Sequence, residues 1–122
     1  MFQCTAALVT LASVDFEKLV RFYTQLLAQE PKSYTPYVYA EFQLRGLRLG
    51  IFRPQQMNRS EFEQAKSGMS LCLEVNDLKG AIAHLSALGY PPPGEILTAS
   101  HGIEIYAYDP DGNRLILHQS VF

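Results

Sequence analysis

Residues 108–119 read YDPDGNRLILHQ, with two aspartates, a proline, a glycine and an asparagine in five consecutive positions, followed by an alternating apolar run. As a calcium loop the stretch fails. An EF-hand loop has a further oxygen ligand before its glycine and a glutamate at its twelfth position; counting from Asp109, that position is Ser120. As a turn it makes sense at each position. Pro110 fixes φ, Asp109 can accept from the backbone that follows it, and Gly112 or Asn113 can take positive φ. The aspartates are therefore structural, and the turn joins GIEIYAY (102–108) to RLILHQ (114–119) as a hairpin.

Outward from this hairpin the chain repeats itself. After Asp77, Leu78, Ala81, Ile82, Leu85 and Leu88 fall on one helical stripe, and Gly89 is placed to stop it. After Asp15, Phe16, Leu19, Val20, Tyr23, Leu26 and Leu27 do the same. Each aspartate stands where a helix N-cap should, with a side-chain oxygen for the first free N–H groups. A short apolar strand precedes each helix: ALVTLASV before Asp15, MSLCLEV before Asn76. Two alternating strands follow the first helix, YVYAEFQL and LRLGIF, joined at Arg45-Gly46. The reading is two modules in a single domain spanning 1–122: module one about 5–54, a polar linker 55–67, and module two about 68–120. Such a repeat implies duplication of one supersecondary unit.

Composition narrows the function. The chain has 122 residues, enough for one real core. A net charge of −2 with no Lys/Arg run gives no footprint for nucleic acid. The apolar stretch Cys4–Val14 lacks a basic flank and is too short for a bilayer, so it reads as a buried strand, with no membrane partner. Cys4 and Cys72 are isolated, forming neither a disulfide framework nor a zinc knuckle, which points to a reducing, cytoplasmic setting. The sequon Asn58-Arg59-Ser60 is then a chance match.

FYTQLLAQEP (Phe22–Pro31) and YDPDGNRLIL (Tyr108–Leu117), in this order and with this repeat, resemble the vicinal oxygen chelate superfamily: glyoxalase I, bleomycin-resistance proteins, fosfomycin-resistance enzymes and extradiol dioxygenases. Ala28 departs from the glycine usual at the first helix end, which implies a different helix exit. The resemblance implies an α+β fold of two βαβββ modules in tandem, forming a curled mixed-sheet cup with helices outside, and a homodimer. In metal-dependent members His, Glu or Gln side chains from the first and last strands of each module hold one divalent ion. Mapped onto this chain those positions are Leu8, Gly50, Ser70 and Ile116, a degenerate set, so no metal and no cofactor are expected. His118, on the face of Ile116 and about 7 Å along, and Glu74 are the only material for an improvised site.

Alternation sorts the strands. Leu49, Ile51, Leu71, Leu73, Val75, Leu115 and Leu117 should face the helices. Val38, Ala40 and Phe42, and Ile103, Ile105 and Ala107, should face the core. The opposite face then presents Tyr37, Tyr39, Glu41, Gln43, Arg48, Phe52, Ser70, Cys72, Glu74, Glu104, Tyr106, Tyr108, Arg114, Ile116 and His118. As ligand-binding residues we take Tyr39, Arg48, Phe52, Ser70, Cys72, Tyr106, Tyr108, Arg114, Ile116 and His118: flat aromatic area with hydroxyl handles, and guanidinium groups for a carboxylate or phosphate. Cys72 has no His or Asn partner that would make it a nucleophile; His84 reads as solvated and His101 as a loop residue. The expectation is a metal-independent small-molecule-binding protein of the glyoxalase/bleomycin-resistance type, its ligand aromatic or anionic. The rivals are a divergent lyase, isomerase or dioxygenase with Glu74, Glu41 or His118 as base, and a structural or regulatory dimer with a filled cavity.

Overall fold

The first amphipathic stripe forms α1 (Phe16–Leu27), which buries Phe16, Leu19, Val20, Phe22 and Tyr23. The computed structural model describes residues 2–63 and 68–121, and the chain divides into two compact units, 1–64 and 65–122. Residues 64–67 of the expected linker lie outside the described residues.

In unit one, β1 (Val9–Ala12), β2 (Ser33–Thr35), β3 (Tyr39–Leu44) and β4 (Leu47–Phe52) form an open mixed sheet in the order β1-β4-β3-β2. β1 runs parallel to β4 and the other pairs are antiparallel. Ala40, Phe42, Leu49 and Ile51 are fully buried on the α1 side. Unit two repeats the plan: β5 (Leu71–Glu74), α2 (Leu78–Ala87), β6 (Leu97–Ala99), β7 (Gly102–Tyr108) and β8 (Arg114–Ser120), ordered β5-β8-β7-β6. Its core is Leu78, Leu85, Ile105, Ala107, Leu115 and Leu117. Each unit is thus one βαβββ module. The short strands β2 and β6 carry too few residues for a visible alternation, and only the family likeness implied a third strand.

Local chemistry explains the boundaries. Asp109 accepts from the amides of Asp111 and Asn113, both at 2.9 Å, and from Asn113 Nδ2 at 2.8 Å. Gly112 takes φ 85, so the stretch is the turn its composition suggests. Asp77 caps α2 by accepting from the Gly80 amide at 3.1 Å. Gln119 Oε1 takes the Leu78 amide at 2.7 Å, tying the start of α2 to β8. Gly89, at φ 96, follows the end of α2.

Four expectations need correction. The Cys4–Val14 run is not a buried strand: only Val9–Ala12 pairs as β1, and residues 4–8 are exposed. Asp15 stands at the N-cap of α1, but its carboxylate makes no capping bond; its own amide donates to Ser13 Oγ instead. Ala28 does not change the helix exit: it takes the left-handed conformation itself (φ 53, ψ 41) and donates its amide to Thr24 O. Val38 is 56% exposed rather than in the core. It lies ahead of β3 in a turn closed by its amide on Thr35 O, so the pleat does not reach it. Beside it Tyr37 is held at φ 62, its amide on Glu17 Oε2 at 2.8 Å, while Tyr34 Oη donates to the other Glu17 oxygen.

Candidate functional site

The ladder register of unit two lays the expected site residues on one sheet face. Cys72, Ile116 and Tyr106 form one row across β5, β8 and β7, and Glu74, His118 and Glu104 form the next. On the other side of the Cys72 row, Tyr108 stands opposite Arg114, and Arg114 Nη1 donates to Ser70 Oγ at 3.0 Å. Leu115 and Leu117 take the opposite, buried face, as alternation requires. Tyr106 and Tyr108 are exposed, and Ile116 is half-buried. The Cys72 thiol is exposed, yet its pKa is pushed up, first by desolvation and then by Glu74 and Glu104, the opposite of what a nucleophile needs.

At one end of this face the polar groups are joined. His118, 9% exposed, donates from Nδ1 to Glu74 Oε1 at 2.6 Å. Because a carboxylate only accepts, this bond places a proton on Nδ1, and in the neutral imidazole Nε2 then carries the lone pair. His101 Nδ1 lies 2.8 Å from that Nε2, and the two rings are tilted with centroids 4.8 Å apart. Sequence reasoning treated His101 as a plain loop residue and gave Glu104 no role in a cluster. Glu104 was legible: with Tyr108 opposite Arg114 across the turn, counting four residues outward on each strand puts Glu104 opposite His118. His101 was not, because it reaches His118 from a turn outside the ladder.

In unit one the corresponding face is tied up differently. Tyr39 Oη donates to Glu41 Oε1 at 2.7 Å, and Arg48 grips the same carboxylate through Nε at 2.9 Å and Nη2 at 3.2 Å. The Arg48 bond, then the Tyr39 bond, hold the Glu41 carboxyl below its ordinary range, while burial and then Glu41 push the Tyr39 hydroxyl up. Glu41 is a salt-bridge partner in this arrangement rather than a base. Beyond the triad lies a groove of 460 Å³, lined by Val38, Tyr39, the run Phe52–Gln55, and Asn58, Glu61 and Phe62 of the 3₁₀ helix Gln56–Phe62. Phe52 and Phe62 meet edge to face at 5.2 Å, so part of the expected linker forms a wall.

A profile of the Glyoxalase/Bleomycin resistance protein/Dioxygenase superfamily matches residues 5–117. The chain belongs to this superfamily. No curated protein matches the chain significantly. Among solved structures it is similar to a glyoxalase-related enzyme from Fulvimarina pelagi, at 22% identity over 95% of this chain and 88% of that one, TM-score 0.76. It is also similar to a fosfomycin resistance protein from Listeria monocytogenes, at 18% identity, 99% and 97% coverage and TM-score 0.76. A lactoylglutathione lyase from Agrobacterium tumefaciens gives 19% identity, 95% and 94% coverage and TM-score 0.72. At these identities the likeness is one of fold.

The superfamily's shared cation does not fit the residues here. The duplication fixes the register: Thr10 faces Gly50 as Cys72 faces Ile116, and each lies five residues ahead of its helix-cap aspartate. Leu8 and Ser70, two residues earlier, are therefore equivalent positions, and Leu8 and Ile116 offer only hydrocarbon. At Gly50 a Cβ would stand 2.7 Å from Tyr39 Oη and 3.1 Å from a carbon of the Tyr39 ring, so the tyrosine fills the space of a ligating side chain. Ser70 Oγ already accepts from the Arg114 guanidinium, a positive charge where a cation would need a negative one.

Proposed function

We propose that this superfamily member binds a small aromatic or anionic molecule without the shared four-residue cation, and that the unit-one groove holds it. The crossed Phe52–Phe62 pair carries the reading: two rings wall a groove of 460 Å³ that also has Tyr39 and Arg53 in its lining. A volume of that size suits a small metabolite, which needs apolar area and a few polar anchors. Among the described residues Arg53 makes no ion pair, whereas Arg48 is committed to Glu41. The anion-binding role expected of Arg48 therefore passes to Arg53. Two free cysteines, Cys4 and Cys72, fit a cytoplasmic setting, and among the described residues no helix is long and apolar enough to cross a membrane. A homodimer belongs to the same reading.

A thermal-shift screen of aromatic carboxylates and phosphates tests it, with light scattering on the same samples giving the oligomeric state. The expected result is a ligand-dependent rise in melting temperature, with Phe62→Ala and Arg53→Ala each weakening binding about tenfold. A chain that no such compound stabilises, or that binds equally well without Phe62 and Arg53, contradicts the proposal.

A further inference from the structure

Three side chains of unit two, from the turn before β7, from β7 and from β8, converge outside the superfamily's cation positions. His101, Glu104 and His118 each offer one ligand atom, and these atoms all lie within 4.8 Å of one another. We propose that they hold one divalent transition-metal cation through His101 Nδ1, His118 Nε2 and a Glu104 carboxylate oxygen, with Glu74 as the outer partner of His118.

The chemistry of the donors supports this. Two imidazoles and a carboxylate suit borderline cations of the Zn²⁺, Co²⁺, Ni²⁺ and Fe²⁺ class. Glu74 accepts from His118 Nδ1 at 2.6 Å, which fixes the tautomer so that Nε2 presents its lone pair to the cluster. A carboxylate behind a ligating imidazole both orients the ring and raises its basicity. His101 Nδ1 and His118 Nε2 stand 2.8 Å apart; with Nε2 accepting, Nδ1–H of His101 donates. For Nδ1 to ligate a cation, that hydrogen passes to His101 Nε2, the other neutral tautomer. Around a cation with bonds of about 2.1 Å, neighbouring ligand atoms sit roughly 3.0–3.4 Å apart, so the pair has to open by only a few tenths of an ångström. His101 lies on an exposed turn that can supply that movement. Among the described residues the Glu104 carboxylate accepts no hydrogen bond, so it is available to swing in.

Gly102 keeps the approach clear. A Cβ there would collide with the Gln119 carbonyl and stand 3.1 Å from His118 Nε2. With three protein ligands, the remaining coordination positions take water or an oxygen of a bound molecule.

The test uses tag-free full-length protein. Co²⁺ is titrated and followed by its visible absorption, and Zn²⁺ is measured by equilibrium dialysis with elemental analysis. One equivalent of metal per chain is expected. His101→Ala and Glu104→Gln should each weaken binding at least tenfold, and Glu74→Gln by tenfold to a hundredfold. His84→Ala, which removes a histidine outside the cluster, should change nothing. If His118→Ala misfolds, the exposed His101 and the half-buried Glu104 still decide the matter. No binding at millimolar metal overturns the proposal, because the histidines then only share a hydrogen bond. Binding that survives both His101→Ala and Glu104→Gln overturns it as well. Neither result bears on ligand binding in the unit-one groove.

Discussion

Glu41 shows how a residue type can mislead. In sequence it is a carboxylate on a strand face rich in tyrosine, which suggests a base; in the fold it is held by Arg48 and Tyr39. Its lowered pKa makes a signed prediction. A depressed folded-state pKa stabilises the fold above the ordinary carboxylate pKa, and that stabilisation is lost as pH falls through the depressed value. Glu41→Gln should therefore have a lower urea midpoint than the native chain at pH 7. The gap should close as pH falls below the ordinary carboxylate range, because native Glu41 then becomes protonated too. A gap independent of pH would mean that the ion pair contributes nothing. The pairing was hidden from sequence because the ladder partner of Glu41 is Gly50, and Arg48, opposite Gln43, reaches Glu41 only diagonally.

At the scale of elements the two helices differ in how they begin and end. α2 has its aspartate cap and a glycine just past its end, whereas α1 has neither a side-chain cap nor a glycine. Alanine in the left-handed region costs about 1–2 kcal/mol. Ala28→Gly removes this cost, but about 0.4–1 kcal/mol of the benefit is lost to the greater freedom of glycine in the unfolded chain. The expected outcome is a gain of about 0.5–1 kcal/mol, read as a higher urea midpoint with an unchanged slope. An unchanged or lower midpoint would mean that the exposed Ala28 methyl has a packing role the burial pattern does not reveal. Helices and long strands were legible because their periods recur over many residues. Val38 failed because alternation says nothing about where a strand starts, and Phe62 was missed because a polar segment gives no sign that its one aromatic ring will turn back onto Phe52.

For the whole molecule, duplication is the organising fact. Both units keep one strand order and one spacing between first strand and helix cap, so a position in one can be read against its counterpart in the other. That comparison assigns Leu8 to the place of Ser70. Leu8, Gly50 and Ile116 carry no donor side chain and Ser70 is held by Arg114, so the four places do not fit a cation. The superfamily was therefore visible in sequence. The cluster in unit two was not, because it needs a turn residue, His101, to be brought onto the sheet face. The most direct measurement is an anomalous-diffraction experiment on crystals soaked with Co²⁺ or Zn²⁺. No metal peak is expected beside Gly50 or Ile116, and any strong peak should lie at His101 and His118; a cation bonded at Leu8, Gly50, Ser70 or Ile116 would overturn the reading of those positions.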